Sequence, residues 1–144
     1  MTISLTDEAR RAIALAEDVA DVTVRDCVFD DDHDRVVFVV AAGEIGKAIG
    51  RDGRTVDRIE ERIGRDVTLV EDAPTPEDFV ANTLAPAAVH AVTIEDGADG
   101  PVAHAEVDER DIGTAIGTDG RRIELARELA ARHFDLDDIE LAET

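Results

Sequence analysis

The feature that most limits what this chain can fold into is an internal repeat. Residues Glu44–Arg54, EIGKAIGRDGR, return 67 positions later as Asp111–Arg121, DIGTAIGTDGR, and differ only at Glu44/Asp111, Lys47/Thr114 and Arg51/Thr118. The pattern on either side repeats as well, so the chain reads as a duplicated unit and not as one domain with a chance motif. Dividing 144 residues in two leaves each half with a thin core.

Local signals fill in each unit. Thr6 is placed to cap a helix whose first turn holds Asp7 and Glu8, and Leu5, Ala9, Ile13 and Ala16 recur along it at helical spacing. β-Branched runs at Val22–Phe29 and Arg35–Val40 predict two strands, split by the turn-forming segment DDDHD. A short helix ending near Ile49, a turn over Gly50–Gly53, a longer helix with Val56, Ile59 and Ile63 on one face, and a strand at Val67–Val70 follow.

The segment DAPTP, residues 72–76, then restarts the program, with Thr75 as N-cap and Pro76 at the first helical position. Pro86 ends this helix. Strands at Val89–Glu95 and Val102–Val107, a short helix, the Gly117–Gly120 turn, a helix around Ile123–Ala131 and a strand at Ile139–Leu141 complete the second unit. The expected class is α+β, with a three-stranded sheet packed on helices in each unit. The expected boundaries are 1–71, a linker at 72–76, and 77–144.

Composition narrows the function classes. The chain is 44% apolar, too rich for a disordered one, and its opening stretch carries acids where a targeting or membrane segment would be greasy. It reads as soluble, cytoplasmic and monomeric, with no membrane partner. Cys27 is the only cysteine, which excludes an internal disulfide and a cysteine-based zinc site and suits a small buried strand residue. The formal net charge is −20, from twenty-one aspartates and fourteen glutamates against fourteen arginines and Lys47 alone. Dispersed acid with almost no lysine resembles the surfaces of proteins from salt-accumulating halophiles, where self-repulsion is screened over about 3 Å near 1 M salt.

In both copies an isoleucine precedes G-x-x-G: Ile49 before GRDG and Ile116 before GTDG. Two glycines between helices allow backbone angles other residues resist and let a ligand's backbone come close. The helix that follows presents its free N–H groups and positive dipole end, an anion site. Phosphates would lie across the turn, while Ile49, Val56, Ile116 and Ile123 line a groove for bases.

A helix pair joined by I-G-x-x-G is similar to the signature of KH domains, whose loop clamps the backbone of about four nucleotides. The element order resembles the type II variant, so the resemblance implies two tandem type II KH domains. Phe79–Val92, FVANTLAPAAVHAV, followed by Asp111–Ala126, DIGTAIGTDGRRIELA, looks like the second KH domain of the NusA transcription factors. Bacterial members carry further domains for which 144 residues leave no space, so the chain resembles the short archaeal form.

The resemblance implies single-stranded RNA as ligand, a role in transcription termination or antitermination, and RNA polymerase or ribosome components as candidate protein partners. RNA contacts are expected at Lys47, Ile49, Gly50, Arg51, Asp52, Gly53, Arg54, Val56 and Arg58 in the first unit. In the second they are expected at Ile116, Gly117, Thr118, Asp119, Gly120, Arg121, Arg122 and Ile123.

Charge favours the first turn. Gly46–Arg65 holds six cations against four acids, and Arg110–Arg132 five against four, in a chain that is otherwise strongly acidic. Asp52 and Asp119 stand where a basic residue would suit phosphate, and GTDG has no cation, leaving Arg121 and Arg122 to compensate. Pairing with acids three or four positions away, as of Arg58 with Glu61, worth a few tenths of a kcal/mol each, is the bland alternative for Arg58 and Arg62 and, less so, for Arg51 and Arg54. For single strands the logarithm of affinity falls by roughly 0.7 per phosphate per decade of salt, so four contacts would lose about 3.6 decades over a twentyfold rise. Binding in a salty cytoplasm must then rest on backbone N–H donors, base edges and apolar contact.

Rival readings are weaker. GEIGKAIG lacks the spacing of a nucleotide-binding phosphate loop, and no nucleophile, base and orienting acid form a set, so neither catalysis nor a cofactor is expected. The four histidines are scattered without metal-ligand spacing; His90 and His104 could pair across strands, and structural roles suit them better. RNA folds that stack bases on aromatic surfaces fit poorly, because Trp and Tyr are lacking and the four phenylalanines lie in apolar contexts that suggest core. A protein-binding scaffold that has lost RNA remains the second reading, motivated by Asp119.

Overall fold

The computed structural model describes residues 5–144, and the chain divides into two compact units between Asp72 and Ala73. The first contains α1 (Asp7–Ala20), β1 (Val24–Asp30), β2 (Arg35–Val40), α2 (Ile45–Ile49), α3 (Arg54–Ile63) and β3 (Asp66–Glu71). The Thr6 hydroxyl accepts the Ala9 N–H at 3.1 Å, capping α1 as its position predicts. β1 runs antiparallel to β2, and β2 runs parallel to β3. The parallel pair follows from the connection: a crossover through α2 and α3 returns the chain in the direction it left, which a tight turn cannot do.

β2 reads RVVFVV, a continuous apolar run without alternation, as a strand covered on both faces does. Val36 to Val40 are all at 0% exposure. Val36, Phe38 and Val40 face a core completed by Ala9, Ile13 and Ala16 of α1, Ala48 of α2 and Ile59 of α3. Cys27 lies in this core too, as its strand context suggests.

The second unit repeats the order with α4 (Pro76–Leu84), β4 (Val89–Asp96), β5 (Pro101–Val107), α5 (Ile112–Ile116), α6 (Arg121–Phe134) and β6 (Asp138–Glu143). Its sheet has the same topology, β4–β5 antiparallel and β5–β6 parallel. Thr75 caps α4 by accepting the Asp78 N–H, with Pro76 at the first helical position. Val80 and Leu84 of α4, Ala103, Ala105 and Val107 of β5, and Ile123 and Ala126 of α6 build its core.

Most differences from the predicted ends are of one or two residues. α6 differs more: it starts at Arg121, directly after the glycine turn, and continues through His133 to Phe134. Phe38 and Phe79 are fully buried, and Phe79 packs on His133 and Phe134. Phe29 carries the Arg65 guanidinium over its ring at 5.5 Å, so Arg65, which also pairs with Asp31, serves the fold. His90 and His104 do not pair: His90 meets Asp108, and His104 lies between Glu95 and Glu140.

Because Phe38 fills the middle of a thin core, Phe38→Ala is expected to cost about 3–5 kcal/mol, against about 1 kcal/mol for Thr6→Ala at the exposed cap. Denaturant unfolding in concentrated potassium chloride measures both; equal losses would contradict this division between core and cap.

Candidate nucleic-acid interface

Each unit joins its two central helices through one 3-10 turn, Arg51–Gly53 in the first and Thr118–Gly120 in the second. The two turns have nearly the same backbone. Gly50 lies at φ 77°, ψ 174° and Gly117 at φ 81°, ψ 171°, a region open essentially to glycine alone. A Cβ at Gly117 would stand 2.8 Å from the Arg122 backbone nitrogen, and one at Gly50 would collide with Thr55. The first glycine is therefore required twice over, by its angles and by the helix that follows passing against it. At the second glycines, Gly53 and Gly120, a Cβ would meet only ordinary van der Waals contacts, Val56 at 4.0 Å and Glu124 at 3.8 Å, so they are required only by φ values of 74° and 76°.

The same geometry explains the aspartates. Asp52 and Asp119 sit in the left-handed region, at φ 55°, ψ 28° and φ 54°, ψ 27°. Aspartate and asparagine are the non-glycine residues that visit this region most readily. The acid in each turn is thus a conformational choice, and Asp119 loses its force as a sign of abandoned RNA binding.

No side chain caps α3 at Gly53 or α6 at Gly120; the Gly53, Arg54, Gly120 and Arg121 N–H groups bond back to carbonyls of their own turn, and the positive dipole end of each helix is left without a capping side chain. Beside each turn stands an exposed isoleucine: Ile49 at 41% and Ile116 at 42% are the two exposed large hydrophobic residues among those described. Val56 is half-buried. Ile123, expected to line the base groove, is at 6% exposure and belongs to the core, because its helix turns that face inward.

The cations divide unequally. Arg51, Arg54 and Arg58 are exposed. Among the described residues none of the three forms an ion pair, so the pairing of Arg58 with Glu61 does not occur. Lys47 is tied to Asp21 at 3.1 Å, away from a purely ligand-directed role. In the second unit Arg121 is exposed, while Arg122 donates through Nη1 to the Thr114 carbonyl at 2.8 Å and so clasps α5 to α6. Of the two arginines expected to compensate for GTDG, one is committed to the turn itself.

Two positioning residues escaped the sequence reading. The Glu44 carboxylate accepts the Thr23 N–H at 3.2 Å, and the Asp111 carboxylate accepts the Ala88 N–H at 2.8 Å. Each pins the start of the short helix to the backbone just ahead of the unit's first strand. The available signal was an acid at the same offset before the glycine turn in both copies. Near the second anchor, the Arg110 side chain and backbone hydrogen-bond Asp108 and hold its carboxyl well below the usual carboxylate range. Its contribution to stability is complete above the unfolded carboxylate pKa and is lost as pH falls through the depressed folded value.

Two glycine-bracketed turns, each between helices packed on a three-stranded sheet with one parallel pair, define a tandem KH-domain protein. Residues 10–95 match the KH domain, and residues 76–144 match the NusA-like second KH domain. The probable transcription termination protein NusA of Halobacterium salinarum is 60% identical over 141 residues, covering 98% of this chain and 99% of that protein. The protein of the same name in Halococcus morrhuae is 58% identical over 142 residues, covering 99% and 100%. A solved structure, that of APE1850, superposes with a TM-score of 0.84 at 28% identity over 96% of this chain and all of that one. The chain belongs to the NusA family of KH-domain proteins, in a short form shared with halophiles.

If the first glycine is the tighter constraint, Gly117→Ala should destabilise more than Gly120→Ala, which costs only the left-handed penalty of about 1–2 kcal/mol. Asp119→Asn tolerates the same backbone region and should change stability by less than about 0.5 kcal/mol. Unfolding midpoints rank the three variants; Gly120→Ala as the worst would contradict the geometry.

Proposed function

We propose that this chain is a transcription factor that holds single-stranded RNA on the GRDG and GTDG turns, with the first turn as the stronger site. The observation that carries the reading is the pairing of an exposed, uncapped helix start with an exposed isoleucine, in the same backbone conformation twice. Phosphates rest on the main-chain N–H groups, and Ile49 and Ile116 offer apolar contact to bases. Arg51 and Arg54 strengthen the first turn, and Arg121 alone serves the second. The relatives that match nearly the whole chain are named for transcription termination. We carry that role over, with nascent transcript as the RNA and RNA polymerase as the protein partner.

Main-chain donors also reconcile RNA binding with a net charge of −20. Screening weakens point charges in concentrated salt, but a directional hydrogen bond to a fixed N–H persists. Replacing Arg51 with Asp makes the first turn doubly acidic without disturbing its glycines. RNA affinity should drop at least about tenfold at low salt, with an unchanged circular dichroism spectrum, because each charge at close range is worth about 1 kcal/mol in water and the swap reverses one. Unchanged affinity would instead favour a protein-docking scaffold.

A further inference from the structure

The two copies part company on the helix that follows the glycine turn. In α3, Arg58 and Arg62 are exposed and line an open groove of about 560 Å3 together with Glu61 and, from α1, Asp18 and Val19. Counting 67 residues onward, the same positions of α6 are Leu125 and Leu129, buried at 5% and 0% exposure. A face that is apolar and closed in one copy is open in the other, where it carries two arginines beside Asp18 and Glu61.

An exposed arginine on a helix is ordinarily a solvated residue paired with a neighbouring acid, and acids are at hand. Glu61 follows Arg58 by three positions, Asp66 follows Arg62 by four, and Asp18 faces both across the groove. Yet among the described residues neither Arg58 nor Arg62 forms an ion pair, a state they share with Arg51 and Arg54 at the turn and with Arg11 and Arg25 elsewhere. What sets Arg58 and Arg62 apart is that both stay free of the acids that share their groove and continue the line of unpaired arginines that begins at the turn.

The anion's nature follows from where the line of charge begins. Arg54, Arg58 and Arg62 recur every fourth residue and so share one edge of α3, spanning about 12 Å at 1.5 Å per residue. Arg54 is the first residue after GRDG. A polyanion resting on the turn therefore meets further guanidinium groups along α3, each able to grip a phosphate with two donors. We propose that the groove between α1 and α3 is an additional RNA-contacting surface, in which Arg58 and Arg62 hold phosphates of nucleotides flanking those on the GRDG turn. It rests on the RNA-binding reading above, and the turn and the groove are separable by RNA length.

The full chain is titrated with a single strand of about four nucleotides, the span of one KH loop, and with one of about eight. Arg62→Gln and the double variant Arg58→Gln/Arg62→Gln are compared with the unaltered protein over a range of potassium chloride. The longer RNA should bind the unaltered protein several-fold more tightly than the shorter. Arg62→Gln should erase much of that gain without changing affinity for the short strand. In the double variant the salt slope for the longer strand should fall by roughly 1.4, or about 0.7 for each phosphate released. A gain that persists in both variants overturns the proposal, assigns the extra length to the second unit and leaves the groove to an acidic protein. Equal loss for both strands from Arg62→Gln overturns it as well, by merging the groove with the turn. Failure of the unaltered protein to bind either strand defeats the RNA reading itself, and the groove with it.

Discussion

The structure depends on how closely the helix after each turn approaches the first glycine. With Gly50 and Gly117 stripped of a side chain, the starts of α3 and α6 pass against the turn, and the main chain is forced outward over the next three residues. That approach places Ile49 and Ile116 on the surface while the alanines one position earlier, Ala48 and Ala115, enter the cores. The exposed isoleucine and the buried alanine beside it recur in both units around the same glycine contact.

The acid load looks different once its local duties are counted. Among the described residues, every non-glycine residue with positive φ is an aspartate: Asp21, Asp34, Asp52, Asp119 and Asp135. Two of them end α1 and α6, where glycine or asparagine is more usual. Glu44 and Asp111 satisfy backbone donors near strand starts, and Glu17 and Glu60 accept from Val24 and Val67 in the same way. Part of the negative charge therefore builds the backbone, and the rest remains for hydration in concentrated salt. The proposed RNA site is compatible with such a chain because the donors it calls on first are uncharged N–H groups.

Much of the fold was legible because its signals are local. Period, caps and glycine spacing specify helix, strand, strand, helix, helix, strand without knowledge of what lies across the core, and the duplication confirms each assignment against its twin. The candidate site was legible down to its turns and its exposed isoleucines. What escaped depends on distances that only the folded chain creates. Ile123 and Ile116 are the same residue type seven positions apart, yet one faces the core and the other solvent. Arg122 looks available until Thr114 comes within reach of its guanidinium. The left-handed backbone of Asp52 and Asp119 is invisible in composition, where each counts only as a charge. The contrast between Arg58 with Arg62 and Leu125 with Leu129 was present in the aligned repeat, but it acquired meaning only when the groove beside α1 was open.

The central claim is that RNA is held by main-chain N–H groups at the two glycine turns even when salt screens side-chain charge. Backbone amide resonances recorded during titration with single-stranded RNA in molar potassium chloride test it most directly. The account predicts that the largest shifts fall on Gly50–Arg54 and Gly117–Arg121, and that they persist as salt rises. Shifts concentrated on the outer faces of the sheets, with the amides of both turns unmoved, would contradict it.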